Sequence, residues 1–202
     1  MKYEFILAQI LPARVSIPEK VYKTDMLIPL PNRNMKKLFL SFFIFLSLSI
    51  FAAGQPAVEA YNRGFVRANI GDLKGAIQEY NKAIELDQLY ADAYFNRGVL
   101  KYKTGNIKSA ILDYNKAIEL DPLDTMAYYN RGIAKFDMKD VKGAIKDYNK
   151  SIELNPIYAE AYYNRGIARY SLGNKTGCCI DLAKADELGL EIAFEILREY
   201  CN

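Results

Sequence analysis

Apolar and polar positions recur along most of this chain at three- and four-residue spacing, which is typical of amphipathic helices. In the stretch 91–124, residues 93–102 form one apolar face and residues 107–118 form a second. A Gly-Asn dipeptide at 105–106 separates the two faces. The Asp-Pro dipeptide at 121–122 ends the second helix, because proline cannot continue it. The pattern therefore predicts two helices joined by a short break.

This pair of helices recurs every 34 residues, and the tripeptide Asn-Arg-Gly marks it at 62–64, 96–98, 130–132 and 164–166. A single antiparallel pair cannot bury its apolar face, so neighbouring copies must stack. The sequence predicts an all-α fold, an α-solenoid of four 34-residue helix-turn-helix repeats plus a C-terminal capping helix. Repeats 1 to 4 cover residues 57–90, 91–124, 125–158 and 159–192.

The repeat resembles the tetratricopeptide repeat family in its length, in the glycine of its first helix and in the small–aromatic pair of its second helix. In repeat 3 these residues are Gly132, Ala144 and Tyr148. Two positions depart from the family. Arginine, as at Arg131, stands where the family has leucine, and a basic residue, as at Lys135, stands where the family has tyrosine.

The resemblance implies that a peptide or protein segment binds in a concave groove formed by the first helix of each repeat. Aromatic rings beside asparagines would suit an extended peptide, with rings for side chains and amides for the backbone. Whether each ring belongs to the groove or to the core between repeats stays open. The implied groove positions are Tyr61, Asn62, Phe65, Phe95, Asn96, Val99, Lys103, Tyr129, Asn130, Ile133, Tyr163, Asn164 and Ile167.

Some members of the family clamp a C-terminal carboxylate with lysine or arginine in the groove. The corresponding places here hold only aromatic residues, so this clamp is predicted to be missing: Tyr61, Phe95, Tyr129 and Tyr163.

The arginine of each tripeptide is followed sixteen residues later by an acid on the facing helix. An Arg–carboxylate contact within or between repeats would explain both columns, and we favour it over ligand binding. The acids are Glu79, Asp113, Asp147 and Asp181.

All three cysteines lie near the C-terminus, where repeat 4 departs from the pattern and residues 190–200 predict a final amphipathic helix. We assign 193–202 to the end of this cap. If the cap helix returns antiparallel, Cys201 lies beside Cys179, and a disulfide between them is the hypothesis for an exported protein. The alternative is three reduced cysteines in a cytosolic protein. No fourth ligand accompanies the cysteines, so we predict neither a metal site nor a cofactor.

Residues 35–54 have the layout of a secretory signal peptide. Lys36 and Lys37 precede an uncharged run at 38–53, and small residues place the cut after Gly54. The run is shorter than the roughly 20 apolar residues that span a bilayer. A retained membrane anchor is the alternative. Residues 1–34 are expected to be an upstream extension absent from the native protein, or a disordered tail.

Composition narrows the function further. The chain has no histidine, which excludes Ser-His-Asp and Cys-His catalysis and imidazole metal sites. Its net charge of +3 comes from the leader, because residues 55–202 carry twenty basic and twenty-one acidic residues. A part of the chain with this near-neutral charge has no excess of basic residues from which to form the basic surface that nucleic acids require, so nucleic acid is not expected as a partner. No catalytic constellation or phosphate-binding loop is present, so we do not expect an enzyme.

These observations predict an exported interaction module or scaffold that binds a protein or peptide, and the repeats resemble those of small bacterial envelope proteins. Membrane contact is expected only through the N-terminal segment if it is uncleaved. Two alternatives remain open: a membrane-anchored scaffold that keeps helix 38–53, and an accessory subunit of an envelope enzyme complex.

Overall fold

The computed structural model describes residues 55–201. The predictions for residues 1–34 and 35–54 lie outside the described residues. Every regular element in the described part is a helix, and none of these helices is long and apolar enough to cross a membrane. The helices are α1 (55–69), α2 (Leu73–Leu86), α3 (Ala91–Lys103), α4 (Ile107–Leu120), α5 (Thr125–Asp137), α6 (Val141–Leu154), α7 (Ala159–Ser171), α8 (Lys175–Glu187) and α9 (Glu191–Tyr200).

Each repeat contributes one helix pair, and the turn inside the pair takes a left-handed residue. Gly71, Gly105 and Gly173 occupy this position in repeats 1, 2 and 4, with φ between 79° and 84°. Lys139 replaces the glycine in repeat 3 and takes φ 65°, which costs an L-residue about 1 kcal/mol. Asp140 then caps α6, because its carboxylate accepts the backbone N–H of Gly143.

The helices form a continuous stack. From α2 to α9 each helix packs against the next, and the first helices of neighbouring repeats also touch, α3 with α5 and α5 with α7. Small residues allow the close approach, since Ala76, Ala110 and Ala144 are fully buried. These contacts confirm the all-α solenoid.

A tyrosine of the second helix fills the space inside each of the first three repeats. Tyr148 is 2% exposed, and a Cβ added to Gly132 would lie 2.6 Å from its ring. The recurring glycine of the first helix is therefore required for the ring to fit. In repeat 4 the buried Leu182 takes the place of the tyrosine.

Helix α9 closes the stack. Its Ala193 is fully buried, and Ile196 and Leu197 pack on a core cluster that includes Leu182 and Ala185 of α8. The outward side of α9 carries exposed glutamates together with the exposed apolar residues Ile192 and Phe194, so the terminal helix shields the core but is not polar throughout.

Candidate peptide-binding groove

A buried carboxylate lies at the centre of a charged network in each of repeats 2 to 4, and repeat 3 shows the arrangement. Arg131 donates to both oxygens of Asp147 through Nε and Nη2, at 2.8 and 2.6 Å. Lys135 lies 2.8 Å from the same carboxylate, whose side chain is 3% exposed. Arg131 also donates to the Asn115 amide oxygen of repeat 2 at 2.8 Å and lies over the Tyr128 ring. One arginine thus ties two helices of its repeat to the preceding repeat.

Repeats 2 and 4 build the same network. Their arginines bind the acid sixteen residues ahead and the asparagine sixteen residues behind, and a second cation joins the acid at 2.7–2.8 Å. The predicted Arg–carboxylate contacts are therefore confirmed, and they lie within repeats. The members are Arg97, Lys101, Asp113 and Asn81 in repeat 2, and Arg165, Arg169, Asp181 and Asn149 in repeat 4.

The two columns that depart from the family are thus one structural unit. The basic column that includes Lys135 is visible in the sequence, but its contact with the acids is seen only in the structure, as at Lys101 and Asp113. Their common spacing of twelve residues from the acid was the available signal. In repeat 1 the pair Arg63 and Glu79 meets at 3.0 Å, but the Arg63 side chain is 46% exposed because no described repeat precedes it.

The tyrosine and asparagine ladders contact each other across repeats. The Asn96 amide N–H donates to the Tyr61 hydroxyl at 3.0 Å, and Asn164 donates to Tyr129 at 2.7 Å. At the middle interface the corresponding ring is Phe95, which has no hydroxyl, and Asn130 donates only to the Met126 carbonyl of its own helix. The amide N–H groups are therefore largely used within the stack.

The aromatic residues of the ladder are half-buried and also belong to the core between repeats. Tyr61 packs against Tyr80 and Tyr90 with ring centroids 5.6 and 5.0 Å apart. Phe95 lies 6.1 Å from the ring of Tyr114. These rings offer an edge rather than a whole face to a ligand.

The remaining groove positions differ in exposure. Phe65 is 51% exposed, and the equivalent residues Val99, Ile133 and Ile167 are half-buried, so one apolar side chain per repeat reaches the surface. Asn62 and Lys103 are exposed. Tyr163 packs against the cluster that α8 and α9 form.

A cleft of about 350 Å³ opens beside the cap. It is lined by the apolar Ile167 and Ile196, the weakly polar Cys178 and the ring of Tyr170. Burial and the neighbouring Asp181 raise the pKa of the Cys178 thiol, so this cysteine is protonated at neutral pH. The cleft extends the apolar column of the first helices to the end of repeat 4.

The structure brings the other two cysteines together. Cys179 on α8 and Cys201 at the end of α9 have Cα atoms 5.7 Å apart and their sulfurs face each other, a geometry that permits a disulfide. The antiparallel return of α9 creates this proximity. Among the described residues, no group of three or more cysteine or acidic side chains is arranged to hold a metal ion.

Comparison with known proteins gives the family. Models described as "TPR repeat" and "Tetratricopeptide repeat" match residues 64–105 and 134–173, and residues 91–123. A crystal structure of MamA protein is 26% identical, with TM-score 0.65, over 72% of this chain and 86% of that one. MamA from Desulfovibrio magneticus RS-1 is 22% identical, with TM-score 0.62, over 65% and 75%.

A third solved structure, the first TPR of Spaghetti (RPAP3) bound to the HSP90 peptide SRMEEVD, is 28% identical with TM-score 0.58. The match covers 59% of this chain and 95% of that one. No curated protein matches the sequence. The helix pairs, the 34-residue period and the matching family models together show that the chain belongs to the tetratricopeptide repeat family.

Proposed function

We propose that this chain is a non-catalytic interaction module that binds an extended segment of a partner protein along the first helices of its repeats. Tetratricopeptide repeat proteins are protein-interaction scaffolds, and a stack of repeats offers a long continuous surface. The single observation that carries the proposal is the apolar column on these helices, with Phe65 at its upstream end and Ile167 at its downstream end.

Hydrogen-bond acceptors beside this column suit the backbone of an extended ligand. The amide oxygens of Asn96, Asn130 and Asn164 accept no hydrogen bond from any described residue, while their N–H groups are used within the stack. A peptide backbone N–H can donate to such an oxygen. Apolar contacts would then come from the column and backbone contacts from the asparagines, once per repeat.

The proposed ligand differs from that of the similar RPAP3 domain. That domain is bound to the acidic peptide SRMEEVD. In this chain, aromatic residues stand at the positions of the family's basic clamp, and the recurring arginines of repeats 2 to 4 are paired with buried acids such as Asp147. An acidic C-terminal segment therefore has few cations to bind, and an apolar segment is the better ligand.

We further propose that the protein acts in the cell envelope after export. The leader layout at 35–54 and the pairing of Cys179 with Cys201 both support this location, since disulfides persist in oxidising compartments. Mass spectrometry of the native protein provides the test. A product that begins at Gln55 and lacks two free thiols is expected, whereas an intact leader would favour the membrane-anchored alternative.

Photocrosslinking in the native envelope tests the binding face. The photoreactive benzoyl-phenylalanine replaces Phe65, an exposed aromatic residue on α1, so that the substitution keeps an aromatic ring in place. The matched control carries the same residue at Leu112, which is 68% exposed on the second helix of repeat 2. We expect a partner adduct from position 65 and none from position 112.

The other outcomes contradict the proposal in different ways. An adduct from position 112 alone would move the binding face to the second helices. The absence of adducts at both positions would refute a protein ligand in the native envelope. An enzyme recovered as the adduct from position 65 would favour the alternative of an accessory subunit.

A further inference from the structure

The stack has two edges, one at each end of its antiparallel helices. Helices of 13 or 14 residues are roughly 20 Å long, so the two edges lie roughly 20 Å apart on opposite sides of the stack. The turn edge consists of the four turns inside the repeats, at 70–75, 104–109, 138–143 and 172–177. The loop edge consists of the three loops between the repeats, at 85–92, 119–126 and 153–160.

The two edges carry opposite charges. The turn edge holds five lysines and two aspartates, and both aspartates, Asp72 and Asp140, cap the helix that follows. The loop edge holds eight acidic residues and no lysine or arginine. The near-neutral charge of residues 55–202 is therefore divided between a basic and an acidic edge. The lysines of the turn edge are exposed and form no ion pair with any described residue: Lys74, Lys108, Lys139, Lys142 and Lys175.

Helix stability does not explain this division of charge. A lysine is the second residue of α2, α4 and α6, and a glutamate is the next-to-last residue of each. The N-terminus is the positive end of a helix dipole and the C-terminus the negative end, so both charges oppose the dipole. Two of the glutamates contact a lysine three residues earlier, but exposed pairs of this kind contribute little. The residues are Lys74, Lys108 and Lys142 with Glu85, Glu119 and Glu153.

Both edges also expose apolar side chains at the period of the repeat. Leu89, Leu123 and Ile157 are each 74% exposed at the same position of the three loops. The backbone N–H of each donates to a side-chain oxygen two residues earlier, at 2.9–3.2 Å, so every loop presents its apolar residue in the same way. The turn edge exposes Ile70, Met138 and Leu172 at one equivalent position of repeats 1, 3 and 4.

We propose that the turn edge of one copy of this chain binds the loop edge of a second copy. The charges of the two edges are complementary, and each edge offers apolar side chains to the other. Both edges belong to the same stack, so their repeats have the same spacing, and one register aligns several turns with several loops. A second copy accounts for both edges, whereas an anionic lipid surface would account only for the turn edge.

The size of the contact predicts weak association. Four helix pairs with axes roughly 10 Å apart give an edge roughly 40 Å long and 20 Å wide. If half of that area is in contact, the two partners together bury roughly 800 Å², below the usual range of stable interfaces. Association should therefore depend on concentration and decrease with salt. Two different surfaces meet, so each copy keeps a free edge and the copies form open-ended rows.

Sedimentation velocity of the protein purified from the cell envelope tests the inference. At low salt the average sedimentation coefficient of the wild type should rise with concentration, and at high salt it should stay at the value of a monomer. One variant, K74Q/K108Q/K142Q, neutralises the turn edge, and another, E85Q/E119Q/E153Q, neutralises the loop edge. Each removes three exposed charges from the contact and should weaken association about tenfold.

An equimolar mixture of the two variants gives the most specific result. Each variant keeps one unchanged edge, so the acidic loop edge of the first should bind the basic turn edge of the second. The product should be a heterodimer that does not grow into rows, because its outer edges are both neutralised. Circular dichroism should show that both variants are folded, since the removed charges oppose the helix dipoles.

The matched control is K82Q/K116Q/K150Q. It removes three lysines from the same helices as the turn-edge variant and changes the net charge equally, but these lysines lie outside the turn edge. The control should associate at least as strongly as the wild type, because the loop edge keeps all its acidic residues.

Four results would overturn the inference. They are a wild type that is monomeric at every concentration in low salt, an edge variant that associates like the wild type, a control that loses association equally, and a variant mixture that forms rows. A monomeric wild type that sediments with vesicles of anionic phospholipid would assign the turn edge to a membrane instead. None of these results bears on the groove, which the photocrosslinking experiment tests separately.

Discussion

Replacing Gly132 by alanine tests the packing that makes the solenoid. The new Cβ would lie 2.6 and 2.8 Å from Cε1 and Cδ1 of Tyr148, closer than unstrained carbon atoms approach. The tyrosine is 2% exposed and cannot move aside without disturbing its neighbours. Overpacking against a ring that cannot yield should cost about 2–3 kcal/mol, the upper part of the usual range, and alanine regains about 1 kcal/mol of helix propensity. We expect the free energy of unfolding to fall by about 1–2 kcal/mol.

Repeat 4 provides a matched control within the same chain. Leu182 replaces the tyrosine there, so a Cβ at Gly166 would lie 3.3 Å from its nearest atoms and 3.6 Å from the leucine. The neighbours need to yield only a few tenths of an ångström. Strain and propensity then nearly cancel, and Gly166→Ala should change the free energy of unfolding by less than about 0.5 kcal/mol.

A double-mutant cycle in urea separates the clash from other effects. Tyr148→Leu recreates the arrangement of repeat 4, so Gly132→Ala should cost little in that background, and the coupling should be about 1–2 kcal/mol. Circular dichroism measures unfolding, and an unchanged slope against urea shows that the same surface unfolds. Equal losses at the two glycines, or a coupling near zero, would refute the role assigned to the Tyr148 ring.

Three further predictions concern charge, the cap and pH. Asp147→Asn should destabilise the fold by roughly 3 kcal/mol, because it leaves buried cations without their anion. Glu79→Gln, in the more exposed pair of repeat 1, should cost less than about 1 kcal/mol. Urea unfolding of both variants checks this order, and equal costs would contradict it. Cys201→Ser should lower the free energy of unfolding by about 3 kcal/mol, since a disulfide at Cys201 would close a loop of 22 residues. A reductant should lower the stability of the wild type to that of the variant. A wild type whose stability does not respond to reductant would show that the thiols are free. Burial raises the pKa of Tyr80 to about 12, and burial together with the hydrogen bond to Asp137 raises the pKa of Tyr102 to about 12. The stability that these neutral tyrosines contribute is therefore fully present below pH 10 and is lost as the pH rises from 10 through 12. Urea midpoints that stay constant over this range would contradict the shift.

The fold could be predicted because the pattern of one helix pair occurs four times in the sequence. A period of 34 residues, a break after each first helix and small residues at helix crossings leave only a stacked arrangement. The closeness of Cys179 and Cys201 followed from the same reasoning, since an antiparallel cap returns to the start of α8. Both predictions depend on the order of the helices and on the number of residues between equivalent positions, which can be counted in the sequence.

The details of the groove could not be predicted, because they depend on which columns face each other across repeats. The sequence shows a tyrosine ladder and an asparagine ladder, but not that Asn96 donates to Tyr61, a residue 35 positions earlier. It also could not show that α9 would cover Tyr163 and leave Phe65 exposed at the other end. The assignment of the groove to a ligand therefore stays a prediction.

The departures from the family explain each other and constrain the ligand. Arginine and lysine at the positions where the family has leucine and tyrosine require a buried anion, and Asp147 with its equivalents supplies it. These cations are then fully committed to the stack, together with the asparagines of the preceding repeats. Both signs of charge remain exposed on the first helices, as at Asp92, Glu160 and Lys103. The same residues that hold the repeats together therefore withdraw most cations of repeats 2 to 4 from the binding face, which favours an apolar segment over an acidic one.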